Sequence, residues 1–419
     1  MHSVELVLCT LGTRGDILPF VAVGRELVRR GYSVTFLSNE NWRELVSTAG
    51  LAFYAIAPKD PSQSGRDDHR FFLENTLPSF SRSFQFVKER VKSRSQKMAL
   101  IYRSNMLGME CAADVFALPH VKVALQPSAI RSFDRPPWPL TPLATGHFQP
   151  VFKGIIIPAL YALAEFTRRY RGQANQFRRS VGLKVPRGRP PAFGSEDAIL
   201  LFAPRWLAMP QKDWPANCHC VGFPFLESEV EDGDIFSFTE REGAPIVFTP
   251  GTGVTDATAF FEKAADVCRH LAMPAVFLGP AALLRQYSAR ILVKDFVDLA
   301  VLLPRSRLVV HHGGIGTTAQ ALRAGIPQVI VPDRFDQPDN AQRVARLGLG
   351  AAVMRDTLSP EAWATLIRKL LGSQLTAQRL TKVSADIRRS EAAVRAADII
   401  DQVITTHGLG LTLAVSIRD

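Results

Sequence analysis

The run His311-His312-Gly313-Gly314-Ile315-Gly316-Thr317-Thr318-Ala319-Gln320 follows directly on the apolar stretch Leu308-Val309-Val310. A strand that ends in a glycine-rich turn, and then a helix opening with two threonines, leaves free backbone N–H groups at the positive end of a helix dipole. That arrangement suits a diphosphate. An imidazole beside it can donate to a phosphate oxygen, and Gln320, one turn into the helix, can reach ribose hydroxyls. Read blandly, the glycines serve only a tight turn; the paired histidines before them and the hydroxyls behind weigh against that. Further on lies Val331-Pro332-Asp333-Arg334-Phe335-Asp336-Gln337-Pro338-Asp339-Asn340-Ala341. It sits at the carboxyl end of the next strand, on the rim where open α/β sheets bind ligands. Asp336 and Gln337 together offer the acceptors and donors that neighbouring sugar hydroxyls need, although Asp336 could equally cap the helix starting near Pro338.

Those residues need a scaffold that brings strand ends together. Short apolar runs alternate with longer amphipathic ones along the chain, the pattern of parallel sheets covered by helices. The reading predicts a strand at Val4–Leu11, the turn Gly12-Thr13-Arg14-Gly15-Asp16, a helix over Leu18–Arg30 with Pro19 in its first turn, and a strand at Tyr32–Leu37. Ser79–Lys97 reads as a basic helix and Val121–Leu125 as a strand; Arg131–Pro150, with five prolines, reads as a surface loop. Phe152–Arg179 reads as helical, and Ala198–Phe202 as the last strand of the first half. A linker is expected over Pro210–Glu231. The rhythm then restarts with a strand at Ile246–Thr249, a helix at Ala257–Leu271, strands at Ala275–Leu278, Leu308–Val310 and Gln328–Val331, and a closing helix at Ser390–Thr406. The expected organisation is two α/β domains, residues 1–220 and 221–400, with 401–419 packing back on the first.

The 419 residues are too many for one ordinary core. A net charge of +11 calls for an anionic partner. No RNA- or DNA-binding motif is recognisable, so nucleic acid is not expected. The five cysteines are odd in number and irregularly spaced, which fits reduced thiols. Cys218-His219-Cys220 has no second ligand pair at zinc-site spacing. Asp232-Gly233-Asp234 lies in an acidic linker and reads as solvated charge, so no metal is expected. Glu5 interrupts the first apolar run without a basic segment before it, unlike a signal peptide, and Gly154–Leu163 is too short to span a bilayer. A cytoplasmic protein is the expectation.

The segment from Asp295 to Ala345 resembles the donor-binding signature of the nucleotide-sugar glycosyltransferases with the GT-B fold, in the family of plant secondary-metabolite, sterol and macrolide glucosyltransferases. Gly12-Thr13-Arg14-Gly15-Asp16-Ile17-Leu18-Pro19 is similar to the first turn of the sterol and antibiotic branch. Trp206–Phe225, with Pro210-Gln211-Lys212-Asp213-Trp214-Pro215 and Gly222-Phe223-Pro224, looks closest to bacterial rhamnolipid rhamnosyltransferases. The resemblance implies two facing Rossmann-like domains with a cleft between them. It gives His312 the phosphate-contacting role, Gly314, Gly316, Thr317 and Thr318 the remaining diphosphate contacts, and Asp336 and Gln337 the transferred sugar. Phe296 would stack on the base, the backbone of Val297 would read its edge, and Thr252 would approach the phosphates. Gln320 stands where most members have glutamate, and Phe296 replaces the commoner tryptophan, which leaves uracil and thymine both open.

On this resemblance the reaction is an inverting, metal-independent hexose transfer from a UDP- or dTDP-sugar, of UDP-glucose or dTDP-rhamnose type, to a hydroxyl of an apolar acceptor. Asp16 matches the catalytic base of the bacterial branch; its bland role is the cap of a helix starting at Leu18. Trp138, Phe148, Phe152 and Tyr161 could line the acceptor pocket or simply pack a core. The basic stretch Arg168-Arg169-Tyr170-Arg171, with Arg178-Arg179, reads as a solvated face that could also rest on anionic lipid. A nucleotide-sugar epimerase of the same fold would need more acidic residues around the sugar. An NAD-dependent dehydrogenase is opposed by a first turn lacking Gly-x-Gly-x-x-Gly. A catalytically silent partner would be expected to lose His312 or the sugar pair, and both are present.

Overall fold

A computed structural model describes residues 4–58, 68–93, 97–136, 167–185, 195–227, 232–251, 257–279, 287–353 and 358–409. Strands β1 (Val4–Cys9), β2 (Ser33–Asn39), β3 (Ala52–Ala57), β4 (Lys97–Arg103), β5 (His120–Ala124), β6 (Ala198–Leu201) and β7 (Cys218–Cys220) form one parallel sheet, in the order β3-β2-β1-β4-β5-β6-β7. Strands β8 (Ile246–Thr249), β9 (Ala275–Leu278), β10 (Ile291–Lys294), β11 (Leu308–His311), β12 (Gln328–Ile330) and β13 (Gly350–Ala352) form a second, in the order β10-β9-β8-β11-β12-β13. The helices are α1 (Arg14–Arg29), α2 (Arg43–Thr48), α3 (Asp68–Lys92), α4 (Leu107–Phe116), α5 (Thr167–Ser180), α6 (Arg205–Ala208), α7 (Gly233–Glu242), α8 (Ala257–Leu271), α9 (Leu299–Leu302), α10 (Ile315–Ala324), α11 (Gln337–Arg346), α12 (Pro360–Leu371), α13 (Gln374–Arg389) and α14 (Ala392–Thr406).

Helices cover the sheets, so the central strands are buried along their whole length: β1, β5, β9 and β11 expose no residue. This explains why continuous apolar runs marked them. Glu5, the acidic residue inside β1, is buried and accepts a hydrogen bond from the Thr35 hydroxyl at 2.7 Å. Strands β3, β4, β7, β10 and β13 were not expected. Strand β7 is the edge of the first sheet, so Ala198–Leu201 is not its last strand, and part of the expected linker is sheet. Its Cys-His-Cys sequence and the Gly-Ala-Ala of β13 carry no strand signature.

The first helix begins at Arg14, not Leu18. Thr13 occupies the position before it, and the Asp16 carboxylate, at the third helical position, accepts from the Thr13 backbone N–H at 2.8 Å and its hydroxyl at 3.1 Å. Pro19 therefore lies in the second turn, without breaking the helix. The basic Arg178 is not on a solvated face, for it pairs with Glu110 and Asp114 of α4, each at 3.1 Å. Arg179 is exposed, as a solvated face requires, and positions 168–171 lie outside the residues whose side chains are described.

Two devices join the halves of the chain. Ile130, Leu207, Ala208 and Phe223 share one apolar core with Leu322, Ile330, Ala341 and Val344. Helix α14 returns to the first sheet, packing Ala396, Ala397, Ile400 and Ile404 into its core. There Arg30 of the helix-ending turn pairs with Glu26, Asp398 and Asp401 and donates to the Val394 carbonyl. Arg30→Ala strips several acceptors of one partly buried donor, and should cost about 1–3 kcal/mol. A thermal melt should show a clear drop in Tm, and an unchanged Tm would mean that α14 is held by its apolar face alone.

Candidate functional site

In each sheet the strand order reverses once, between β1 and β4 in the first and between β8 and β11 in the second. Such switch points open a crevice at the carboxyl ends of the strands. Asp16 follows β1 and Arg103 ends β4; Gly251 follows β8 and His312 follows β11. The two crevices face one another. At one point glycine meets glycine, since a Cβ added to Gly316 would lie 3.3 Å from the Gly15 Cα. The N-termini of α1 and α10 thus meet across the cleft.

The two histidines have different duties. His311 is fully buried, its Nε2 lies 2.9 Å from the Gln328 Oε1, and its Nδ1 accepts from the Gly313 N–H at 3.1 Å. Those partners assign the proton to Nε2, and burial pushes the ring's pKa down to about 3. His311 is a pin that sets the turn. The His312 ring is wedged between Gly251 and Gly314, and any side chain at either position would collide with it. Gly251 also has φ +83°, so both space and backbone demand glycine there. Burial lowers the His312 pKa to about 4, with Asp333 opposing and Arg334 assisting. His312 is thus neutral at neutral pH, and its Nδ1 is buried with no hydrogen-bond partner among the described residues.

Gly314 stands at the cap position of α10 and brings no capping side chain, so the first-turn N–H groups stay open. Gly316 and Thr317 lie on that turn, half-buried, with Gln320 further along. Thr318 differs: it is buried and its hydroxyl donates to the Gly314 carbonyl at 3.0 Å. Its hydroxyl therefore serves the helix, which corrects its expected place among the open phosphate donors.

The loop after β12 is bolted to this turn. Asn340 donates to the Gly313 carbonyl at 2.9 Å and to the Asp336 carboxylate at 2.7 Å. Asp336 does not cap α11 with its side chain. Burial lifts its pKa to about 6 against the Asn340 hydrogen bond; the charge of Asp16 across the cleft raises it and that of Arg103 lowers it. Gln337 spends its Oε1 on the Asp333 and Arg334 N–H groups, at 2.9 and 3.1 Å, so only its amide NH2 faces outward for a ligand. Phe335, between them, is exposed and holds φ +55°, a strained setting for an aromatic residue.

Opposite, Asp16 has both oxygens engaged, Oδ2 by Thr13 and Oδ1 by Arg103 at 3.0 Å, while Arg103 also donates to the Leu11 carbonyl. Phe296 is exposed, and the Arg14 guanidinium lies 4.8 Å from its ring centroid. The Val297 side chain is buried in the core, which leaves its backbone for any ligand. Thr252, Trp138, Phe148, Phe152 and Tyr161 lie outside the described residues. Asp232 is not loose linker charge: it caps α7 and, with Asp234, pairs with Lys294. Sequence reasoning missed Arg103, Asn340, Arg14 and the pinning role of His311. Asn340 had a signal, its spacing of four from Asp336 on one helix face; Arg103 had none, because β4 itself went unseen.

The raised pKa of Asp336 has a sign. Its folded-state value lies above the unfolded 3.8, so the folded chain holds a proton that the unfolded chain has lost between about pH 4 and 6. Stability therefore falls as pH rises through that window. Asp336→Asn keeps an acceptor for Asn340 and removes the charge. Its stability gain over the wild type in thermal melts should be small at pH 4, grow between pH 4 and 6, and level off above that at up to about 3 kcal/mol. A gain independent of pH would contradict this account.

The comparisons with known proteins agree with this geometry. Residues 6–119 match the model of the glycosyltransferase family 28 N-terminal domain, and residues 280–404 that of the erythromycin biosynthesis protein CIII-like C-terminal domain. The chain is 28% identical over 445 residues to O-mycaminosyltylonolide 6-deoxyallosyltransferase of Streptomyces fradiae, covering 96% of this chain and 98% of that protein. Among solved structures it resembles the glycosyltransferase of kitacinnamycin, with a TM-score of 0.73 at 17% identity over 95% and 98% of the two chains. It also resembles the glycosyltransferase VinC in complex with dTDP, at 0.65, 17%, 96% and 100%. Among the described residues no helix is long and apolar enough to cross a membrane. The chain belongs to the GT-B glycosyltransferases of the bacterial UDP-glycosyltransferase type.

Proposed function

We propose that this glycosyltransferase moves a hexose from a UDP- or dTDP-sugar to a hydroxyl of an apolar small-molecule acceptor, with inversion and without a metal or other cofactor. One observation carries the reading: the open N-terminus of α10, with the unpartnered His312 ring beside it, meets the Asp16 turn across the cleft. The turn receives the diphosphate, His312 donates to it as a neutral imidazole, and Asp336 with the amide of Gln337 holds the sugar. Phe296 and the Val297 backbone take the base, which the VinC complex supports for dTDP. The acceptor approaches from the first sheet, and the O-mycaminosyltylonolide in the name of the Streptomyces relative supports a small-molecule acceptor.

Asp16 takes the acceptor proton while the diphosphate leaves from the opposite face of the sugar. To do so it must use the lone pairs that Thr13 and Arg103 leave over. Its structural role, closing the first turn of α1, is compatible with that chemistry.

Two measurements test the reading. His312→Ala should abolish turnover and weaken UDP or dTDP binding by about 1.5–3 kcal/mol, because the diphosphate loses a buried donor. Unchanged affinity by calorimetry would remove the turn from the donor site. Asp16→Asn keeps the size and much of the capping ability, so fold and donor binding should survive, while transfer to an alcohol falls about 10²- to 10⁴-fold. A nitrophenol, arriving largely ionised, should be spared. If mass spectrometry of products finds wild-type rates with UDP-glucose or dTDP-rhamnose and an aliphatic alcohol, Asp16 is only part of a cap.

A further inference from the structure

The donor turn supplies hydrogen bonds but no cation. The first turn of α10 holds no basic residue, and Arg323 at the far end of that helix is engaged with Glu227. His312 is neutral in this setting. The diphosphate of a nucleotide sugar is doubly charged, and it gains further charge as the bond to the sugar breaks. Something beside the turn must balance it.

Two guanidinium groups are placed to do so, one from each sheet. Arg14 is the first residue of α1, and its neighbour Gly15 touches Gly316 of the donor turn. Its guanidinium rests 4.8 Å from the Phe296 ring, the ring assigned to the base. It is not drawn off by the acid on its own turn, for Asp16 is held by Thr13 and Arg103. Arg334 lies on the loop fixed to the donor turn by Asn340, and Gln337 clamps its backbone N–H. Its guanidinium packs 5.6 Å from the Phe335 ring and is ion-paired with its neighbour Asp333 at 3.6 Å, so binding the diphosphate means exchanging that pair for phosphate oxygens. The effect of its charge on the buried His312 ring agrees with that placement.

We propose that Arg14 and Arg334 close on the donor diphosphate from opposite sides of the cleft and supply the positive charge that the glycine turn lacks. The inference rests on the donor-site reading above. Arginine suits the task because its planar fork binds phosphate oxygens in pairs and never loses its charge. The arrangement also gives the first sheet a share in donor binding, so a bound donor would pull the two sides of the cleft together.

Calorimetry on the full chain tests it, with uridine and thymidine as charge-free probes and UDP and dTDP as charged ones. Arg14→Gln and Arg334→Gln should each weaken diphosphate binding about tenfold or more, and the double variant more than either. Nucleoside affinity should stay at the wild-type level, which also shows that each variant is folded. Three results overturn the clamp: full diphosphate affinity in both variants, a loss confined to one of them, or equal losses for nucleoside and diphosphate. His312→Ala separates the two levels of inference. Weakened binding there with intact binding in both arginine variants leaves the donor turn standing and removes the clamp. A folded wild type that binds neither diphosphate removes the donor-site reading itself.

Discussion

Two helix N-termini meet across the cleft with only glycine between them, and the rest of the site follows from that contact. Each helix start carries a partial positive charge, and two such ends facing one another repel. Asp16 sits in the first turn of α1 and Asp336 stands beside the start of α10, so each helix start has a carboxylate close by. Beside it, Gly251 and Gly314 give the His312 ring a slot that any side chain at either position would fill. A polar ring with a buried, unsatisfied nitrogen is costly in a finished structure, and it makes sense where a ligand completes the hydrogen bonding.

Around that contact the carboxylates are placed in unlike environments. Asp16 is tied by an arginine and a threonine, whereas Asp336 is held by one asparagine amide and pushed upward by burial. Burial raises the Asp336 pKa, and the charge of Asp16 across the crevice adds to that rise. Arg103 lies close enough to act on both, so its contribution reaches beyond the single ion pair it makes.

The parallel sheets, the alternation of strand and helix, and the two strand-end motifs were legible because buried strands are written as unbroken apolar runs and phosphate turns as glycine. The short edge strands were not. Cys218–Cys220 and Gly350–Ala352 pair by backbone alone, and their side chains carry no pattern to read. The start of α1 was misplaced because the cap is Thr13 with an aspartate three residues on, and the proline at 19 suggested a later beginning. In the site, local motifs exposed His312, Asp336 and Gln337. What stayed hidden came from elsewhere in the chain: Arg103 arrives on a neighbouring strand, and the burial of Thr318 depends on packing across the turn.

The return of α14 to the first sheet has a consequence for how the chain is made. The core around α1 and β1 lacks Ala396, Ile400 and Ile404 until the end of the second half has been synthesised. A nascent chain that has finished β7 still presents the apolar groove meant for that helix, together with the surface of Leu207 and Phe223 that awaits the second sheet. The core of the first sheet is therefore closed last, by residues 392–406, after the whole second sheet has been made.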